Sequence, residues 1–265
     1  SGLIFPFSFP PSGGMNRVEA GLFGENGTSS RGGGSITSGW SLGMTPQAIS
    51  SACFTSFRNR QEKDLFITFE GIDGCGKSTQ AQRLAEFLLK KRGNGKVLWT
   101  REPGGWPGSG DLREMILSQE LEHPWTEVFL FLADRCEHAR KVIEPAVSSG
   151  IQVICERYDD STLAYQVWGR GLPLETVEKA IEIADHPAPQ KTVFIDIRVE
   201  TALERICSRS GLDRYEREGR DFLSRIQEGY RFLMSREPER FIPVDGEQKP
   251  EKVFSDVLRS LEGLL

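Results

Sequence analysis

Gly71-Ile72-Asp73-Gly74-Cys75-Gly76-Lys77-Ser78 satisfies the pattern GxxxxGK[ST] at every fixed position, and its neighbours decide how it is read. Before it, Leu65-Phe66-Ile67-Thr68-Phe69 is a short β-rich run. After it, Ala81, Leu84, Ala85, Leu88 and Leu89 recur at helical spacing over residues 76–92. A strand, a glycine turn and a helix in that order make a phosphate-binding loop. Its backbone N–H groups converge on phosphate oxygens, and the helix N-terminus adds partial positive charge. Lys77 reaches the outer phosphates and Ser78 can ligate Mg²⁺. The nucleotide contacts expected here are Gly71, Ile72, Asp73, Gly74, Cys75, Gly76, Lys77, Ser78 and Thr79. The motif alone leaves kinase, ATPase and GTPase open.

Outward from the loop, strands are expected at residues 97–100, 151–155, 192–197 and 241–244, the last with Pro243 on a sheet edge. Helices are expected at 111–118, 174–185, 199–208, 216–235 and 249–263. A long helix over 126–149 would be capped by Thr126, kinked at Pro145 and stopped at Gly150. Strands alternating with helices predict an α/β fold, a parallel sheet of about five strands covered by helices on both faces.

The chain has 265 residues, 38% of them hydrophobic, enough for one domain and an appendage. Composition changes near residue 60. Residues 1–60 hold 11 Gly, 11 Ser, four Arg and no Lys, with Glu19 and Glu25 the only acids, a net charge of +2. With −5 on the whole chain, −7 falls on residues 61–265. The first part lacks a core-forming period and reads as a disordered Gly/Ser-rich N-terminal extension. It is read as a noncatalytic extension, or one arising from an upstream start site, with an organellar transit peptide as the alternative; residues 61–265 form the functional domain. The acidic body argues against a nucleic-acid polymer as partner. Apolar runs such as residues 128–133 are far too short to span a membrane. Five cysteines without a CxxC pair fit a reducing compartment, the cytoplasm or alternatively an organelle.

Four further segments join the loop. They are Thr100-Arg101-Glu102-Pro103-Gly104-Gly105, Leu132-Ala133-Asp134-Arg135, Glu156-Arg157-Tyr158 followed by Ser161 to Tyr165, and Leu212-Asp213-Arg214-Tyr215-Glu216. With Glu70-Gly71-Ile72-Asp73-Gly74 they resemble the thymidylate kinase family, in its order and approximate spacing, over residues 64–265. The resemblance implies a P-loop kinase fold with a short lid. It also implies transfer of the γ-phosphoryl of ATP to dTMP, Mg²⁺ as cofactor, small nucleotides as substrates and a homodimer. A kinase for another nucleoside monophosphate or a deoxynucleoside stays open, as does a noncatalytic nucleotide-binding switch.

The resemblance assigns Arg101 and Arg157 to the acceptor phosphate. It makes Phe131 the thymine-stacking residue and Arg135 a nucleotide contact. Read alone, Phe131 is core packing and Arg135 a surface charge. Thr162 and Tyr165 fall at the base edge and deoxyribose, and Asp73 near the sugar 3′-hydroxyl. Glu156 stands where the family has aspartate, which leaves its direct contact with Mg²⁺ beside Ser78 open. Arg205, Arg209 and Arg214 flank a Ser210-Gly211 break that suits a lid. Gly74 occupies the loop position where some members carry the arginine that acts on the transferred phosphoryl, so the lid must supply it, with Arg209 the best placed. The catalytic set is then Lys77, Arg157, Arg209 and Asp73, and an arginine restored at position 74 is expected to recover part of the rate lost without Arg209.

Overall fold

The computed structural model describes residues 65–93, 95–208 and 218–265. The expectations for residues 1–60, Arg209, Arg214 and the Ser210-Gly211 break lie outside the described residues. Five strands form one all-parallel sheet in the order β2-β3-β1-β4-β5. They are β1 (Phe66–Glu70), β2 (Val97–Arg101), β3 (Gln152–Glu156), β4 (Lys191–Asp196) and β5 (Phe241–Asp245). β1 and β3 are buried at every residue, which a parallel strand covered on both faces requires and which explains their near-continuous apolar runs. Pro243 sits on β5 at the sheet edge, as expected.

Between the strands run α1 (Lys77–Arg92), α2 (Gly110–Ser118), α3 (Pro124–His138), α4 (Asp159–Thr162, continuing as π-helical turns over Leu163–Gly169), α5 (Leu174–Ile183), α6 (Val199–Cys207), α7 (Arg220–Arg236) and α8 (Pro250–Ser260). α1 buries Ala81, Leu84, Ala85 and Leu88, the stripe its spacing predicts.

Three local expectations are corrected. α3 starts at Pro124, and its cap is His123, whose Nδ1 accepts from the Trp125 N–H at 3.3 Å, so Thr126 lies inside the helix. Pro145 is met by a π-helical segment over Ala139–Ile143, ahead of a last α-helical turn at Glu144–Ser148. Proline lacks an N–H and its ring crowds the carbonyl four residues back, and the widened turns place the irregularity there. Residues 159–169, which carry no helical stripe in the sequence, form α4.

Candidate active site

A cleft opens at the C-terminal ends of β1, β2 and β3, where ligands bind in open α/β sheets. Strand direction places the residues. The loop after β1 brings Asp73, Gly74, Gly76, Lys77, Ser78 and Thr79 to the cleft wall; β2 ends in Arg101 and β3 in Glu156, with Arg157 the next residue. α3 contributes Phe131 and Arg135, and α4 contributes Thr162 and Tyr165. Gly71, Ile72 and Cys75 form the back of the loop, with Ile72 and Cys75 buried in the core.

Glycine is needed at 74: its φ is +80°, and a Cβ there would stand 2.7 Å from the Ala202 carbonyl oxygen of α6. The expectation that an arginine at position 74 would restore function therefore fails on space. Lys77 folds over the loop, its Nζ donating to the carbonyls of Gly71 at 3.0 Å and Ile72 at 2.9 Å, with Asp73 4.0 Å away.

Across the cleft, Arg157 Nη2 donates to Asp73 Oδ1, and the Tyr165 hydroxyl donates to Asp73 Oδ2 at 2.6 Å. The Arg157 guanidinium also lies over the Tyr165 ring, 4.9 Å from its centroid. Burial pushes the Asp73 carboxyl up, but Arg157, Lys77 and the Tyr165 hydroxyl together hold it below the usual carboxylate range. Asp73 is thus an anion at neutral pH, aimed at the same space as two cations.

Glu156 reaches both of its neighbours: the Ser78 hydroxyl donates to Oε2, and the Trp99 indole N–H donates to Oε1 at 2.9 Å. The longer side chain therefore brings its carboxylate to Ser78. Among the described residues no cluster of three or more His, Cys, Asp or Glu forms a metal cage. Ser78 and Glu156 instead offer oxygens on a phosphate-binding loop, the donor set Mg²⁺ takes when it shares its shell with phosphates and water.

Arg135 differs from the surface charge that its sequence alone suggests. It is 1% exposed and lines the cleft from a buried position, its Nε donating to Glu102 at 2.7 Å and its Nη1 to Asp159 at 2.9 Å. His138 Nδ1 meets the other Glu102 oxygen at 2.9 Å, and Asp134 accepts from the Gly104 N–H and the Trp106 indole, each at 2.9 Å. α3 thus clamps the turn that follows Arg101. Arg205 donates to the carbonyls of Gly74 at 3.4 Å and Gly246 at 3.1 Å, so its guanidinium packs on the loop.

Gln166, on the cleft, is assigned no role by the sequence. Gln166 is fully buried and donates to Glu127 at 3.1 Å, while its Oε1 has no partner. Thr162 Oγ1, also buried and on the cleft, has none either. Such orphans are uncommon in protein interiors, and these two belong to residues that line the cleft. Thr162 and Gln166 are four residues apart on one helix, a spacing that becomes a signal once residues 159–169 are known to be helical. Beneath the cleft stands Glu70, a fully buried carboxyl closing an otherwise uncharged strand.

A family model described as thymidylate kinase matches residues 69–257. The chain is 42% identical over 201 residues to a thymidylate kinase of Carboxydothermus hydrogenoformans, covering 75% of this chain and 97% of that protein. It is 41% identical over 202 residues to a thymidylate kinase of Trichlorobacter lovleyi, covering 73% and 94%. The crystal structure of thymidylate kinase from Ehrlichia chaffeensis superposes with a TM-score of 0.64 at 30% identity, over 75% of this chain and 98% of that one.

Proposed function

The chain belongs to the thymidylate kinase family, and from that premise we propose how its cleft carries the γ-phosphoryl of ATP to dTMP, giving dTDP and ADP. The observation that carries the assignment of roles is the Arg157–Asp73–Tyr165 cluster in the same cleft that Thr162 and Gln166, each with an unpartnered oxygen, also line.

The acceptor phosphate lies against Arg157, with Arg101 at the rim. The thymine ring lies on Phe131, and its N3–H supplies the donor that Gln166 Oε1 lacks. Thr162 completes the base edge. Asp73 accepts from the sugar 3′-hydroxyl. Tyr165 fills the space of a 2′-hydroxyl, which favours deoxyribose. A phosphate oxygen of dTMP attacks the γ-phosphorus, a new P–O bond forms, and the bond to the bridging oxygen of ADP breaks. No general base is needed, because the acceptor phosphate is already ionised. Lys77, Arg157 and the lid arginines hold positive charge around the phosphoryl group, and positioning with electrostatic stabilisation does the rest. Ser78 and Glu156 would hold Mg²⁺, which supplies neutralisation of the phosphate charge when bound.

A homodimer is the expected assembly. Phe129 on α3 is 62% exposed and Ile183 at the end of α5 is 83% exposed, and the two helices touch through the Cys136 thiol and the Ala184 carbonyl. Apolar side chains of this size on neighbouring helices suit a helical interface. Sedimentation velocity reads it directly, and a monomer at micromolar concentration would refute it. Cytoplasmic residence is the reading we adopt for location. Cys75, Cys136, Cys155 and Cys207 are free thiols, and no described helix is long and apolar enough to cross a membrane. A reporter fused to residues 1–64 that entered an organelle would favour the alternative.

The test of function is ADP release with ATP, Mg²⁺ and a panel of dTMP, dUMP, UMP, CMP, AMP and thymidine. dTMP is expected to be turned over fastest. Comparable rates on AMP with none on dTMP would overturn the assignment.

A further inference from the structure

Glu70 closes β1 and is fully buried, the one charged residue in Phe-Ile-Thr-Phe-Glu. A carboxylate in that position needs donors for its oxygens. It has three, from three places in the fold. The Tyr158 N–H donates to Oε1 at 2.6 Å, the Ser161 hydroxyl to Oε2 at 2.6 Å, and the Tyr230 hydroxyl of α7 to Oε2 at 2.8 Å.

Two of these donors bracket Arg157. Tyr158 is the next residue along the backbone, and Arg157 itself is left-handed, with φ of +63°. A residue with a side chain is uncommon there and must be held by its surroundings. The N–H groups on both sides of the bend are captured, Arg157 N–H by the Phe69 carbonyl at 3.0 Å and Tyr158 N–H by Glu70. The other donor, Ser161, accepts from Arg157 Nη1 at 3.1 Å.

The direction of this chain is set by proton count. A guanidinium can only donate, so Ser161 Oγ must present a lone pair to Arg157. Its single proton then has to go elsewhere, to Glu70 or to the Tyr230 oxygen 2.9 Å away. An ionised carboxylate only accepts and takes the protons of both hydroxyls, which leaves the Ser161 lone pairs free for the guanidinium. We propose that Glu70 is a positioning residue for Arg157, gripping its backbone through the Tyr158 N–H and its guanidinium through the Ser161 hydroxyl, and so sets the affinity of the cleft for the acceptor phosphate. The inference rests on the assignment of Arg157 to that phosphate.

Glutamine at this position has nearly the same shape and the wrong proton pattern. With its amide nitrogen at the Oε1 site, N–H faces the Tyr158 N–H. With the nitrogen at the Oε2 site, its N–H competes with Arg157 for the lone pairs of Ser161, the Ser161 proton turns to Tyr230, and Tyr230 loses its acceptor. In the first arrangement the backbone grip is lost, and in the second the charge-assisted link through Ser161 is weakened.

The experiment compares the binding of dTMP and of thymidine, which lacks the phosphate, to the full chain by titration calorimetry at pH 8, with steady-state kinetics alongside. Glu70→Gln is expected to weaken dTMP binding about tenfold, the scale of one charge-assisted hydrogen bond, and to leave thymidine binding unchanged. The KM for dTMP should rise by a similar factor while the KM for ATP stays put. Should Glu70→Gln fail to fold, Ser161→Ala breaks the same link to the guanidinium and should show the same selective loss. Unchanged dTMP affinity in the folded variant overturns the proposal, and so does an equal loss for dTMP and thymidine, which would mark a merely structural role. Failure of the wild-type chain to bind or phosphorylate dTMP would instead overturn the assignment of function on which the proposal rests.

Discussion

Gly74 leaves the phosphate-binding loop with no side chain to set against the transferred phosphoryl, and Ala202 of α6 leaves no room for one. In the mechanism proposed above the cation comes from the arginines expected around the lid. Arg205 is engaged with the loop, donating to the carbonyls of Gly74 and Gly246. Arg209→Ala is expected to lower kcat by ~10²-fold with little change in the KM for dTMP, because that contact strengthens only in the transition state. Stopped-flow or coupled-assay kinetics on the variant check it, and an unchanged kcat would remove Arg209 from the mechanism. Glu70 makes a second prediction, on stability. Burial and the neighbouring Asp160 push its carboxyl from 4.5 up to about 7, against the lowering effect of Ser161, Arg157 and Tyr230. A folded-state value above the unfolded one means stability that is full below pH ~4.5 and lost as pH rises through ~7. Asp160 is itself pushed up by burial, despite its bonds to Arg240. Urea melts of wild type and Glu70→Gln should therefore differ more in favour of the variant at pH 8 than at pH 5.5. A difference that does not change with pH would contradict the shift.

α4 and α7 meet more closely than ordinary helices because a glycine stands on each. A Cβ at Gly169 would fall 2.8 Å from Phe222 Cε2, and one at Gly229 would fall 2.8 Å from Trp168 Cδ2. Alanine normally favours a helix interior over glycine by up to ~1 kcal/mol. Here the sign is expected to reverse, because the Trp168 ring packs against Phe232, with centroids 5.1 Å apart, and must shift to admit a methyl group. Gly229→Ala should cost ~1–3 kcal/mol of stability, the usual penalty of overpacking, read from the urea midpoint. A stabilised variant would show that α7 slides freely on α4. This contact matters for the site, since α7 carries Tyr230 to Glu70 while α4 carries Thr162, Tyr165 and Gln166 to the cleft. The same helix was the hardest to read in the sequence. Its π-helical turns break the 3.6-residue period on which a helical stripe depends, so Ser161, Thr162 and Tyr165 were legible only as a motif.

At the scale of the whole molecule, the family match begins at residue 69, and the composition break near 60 separates what precedes it. Deleting residues 1–60 is expected to leave kcat, KM and the melting temperature unchanged, because that stretch has no core-forming pattern. A fall in melting temperature on truncation would show that it packs on the domain. The sequence by itself determined the strand, loop and helix around Lys77, the alternation that makes a parallel sheet, and the types of residue that meet phosphate, because these depend on local periodicity and on glycine where backbone must approach an anion. Only the tertiary structure decided which partners those residues take. Arg135 became a buried clamp on Glu102, Glu156 reached Ser78 and Trp99, Gln166 kept a buried oxygen without a partner beside the cleft, and Glu70 collected donors from residues 158, 161 and 230. Those contacts join positions far apart in the chain. They follow from strand order and helix packing, which bring such positions within hydrogen-bonding distance and leave no trace in the spacing of either partner.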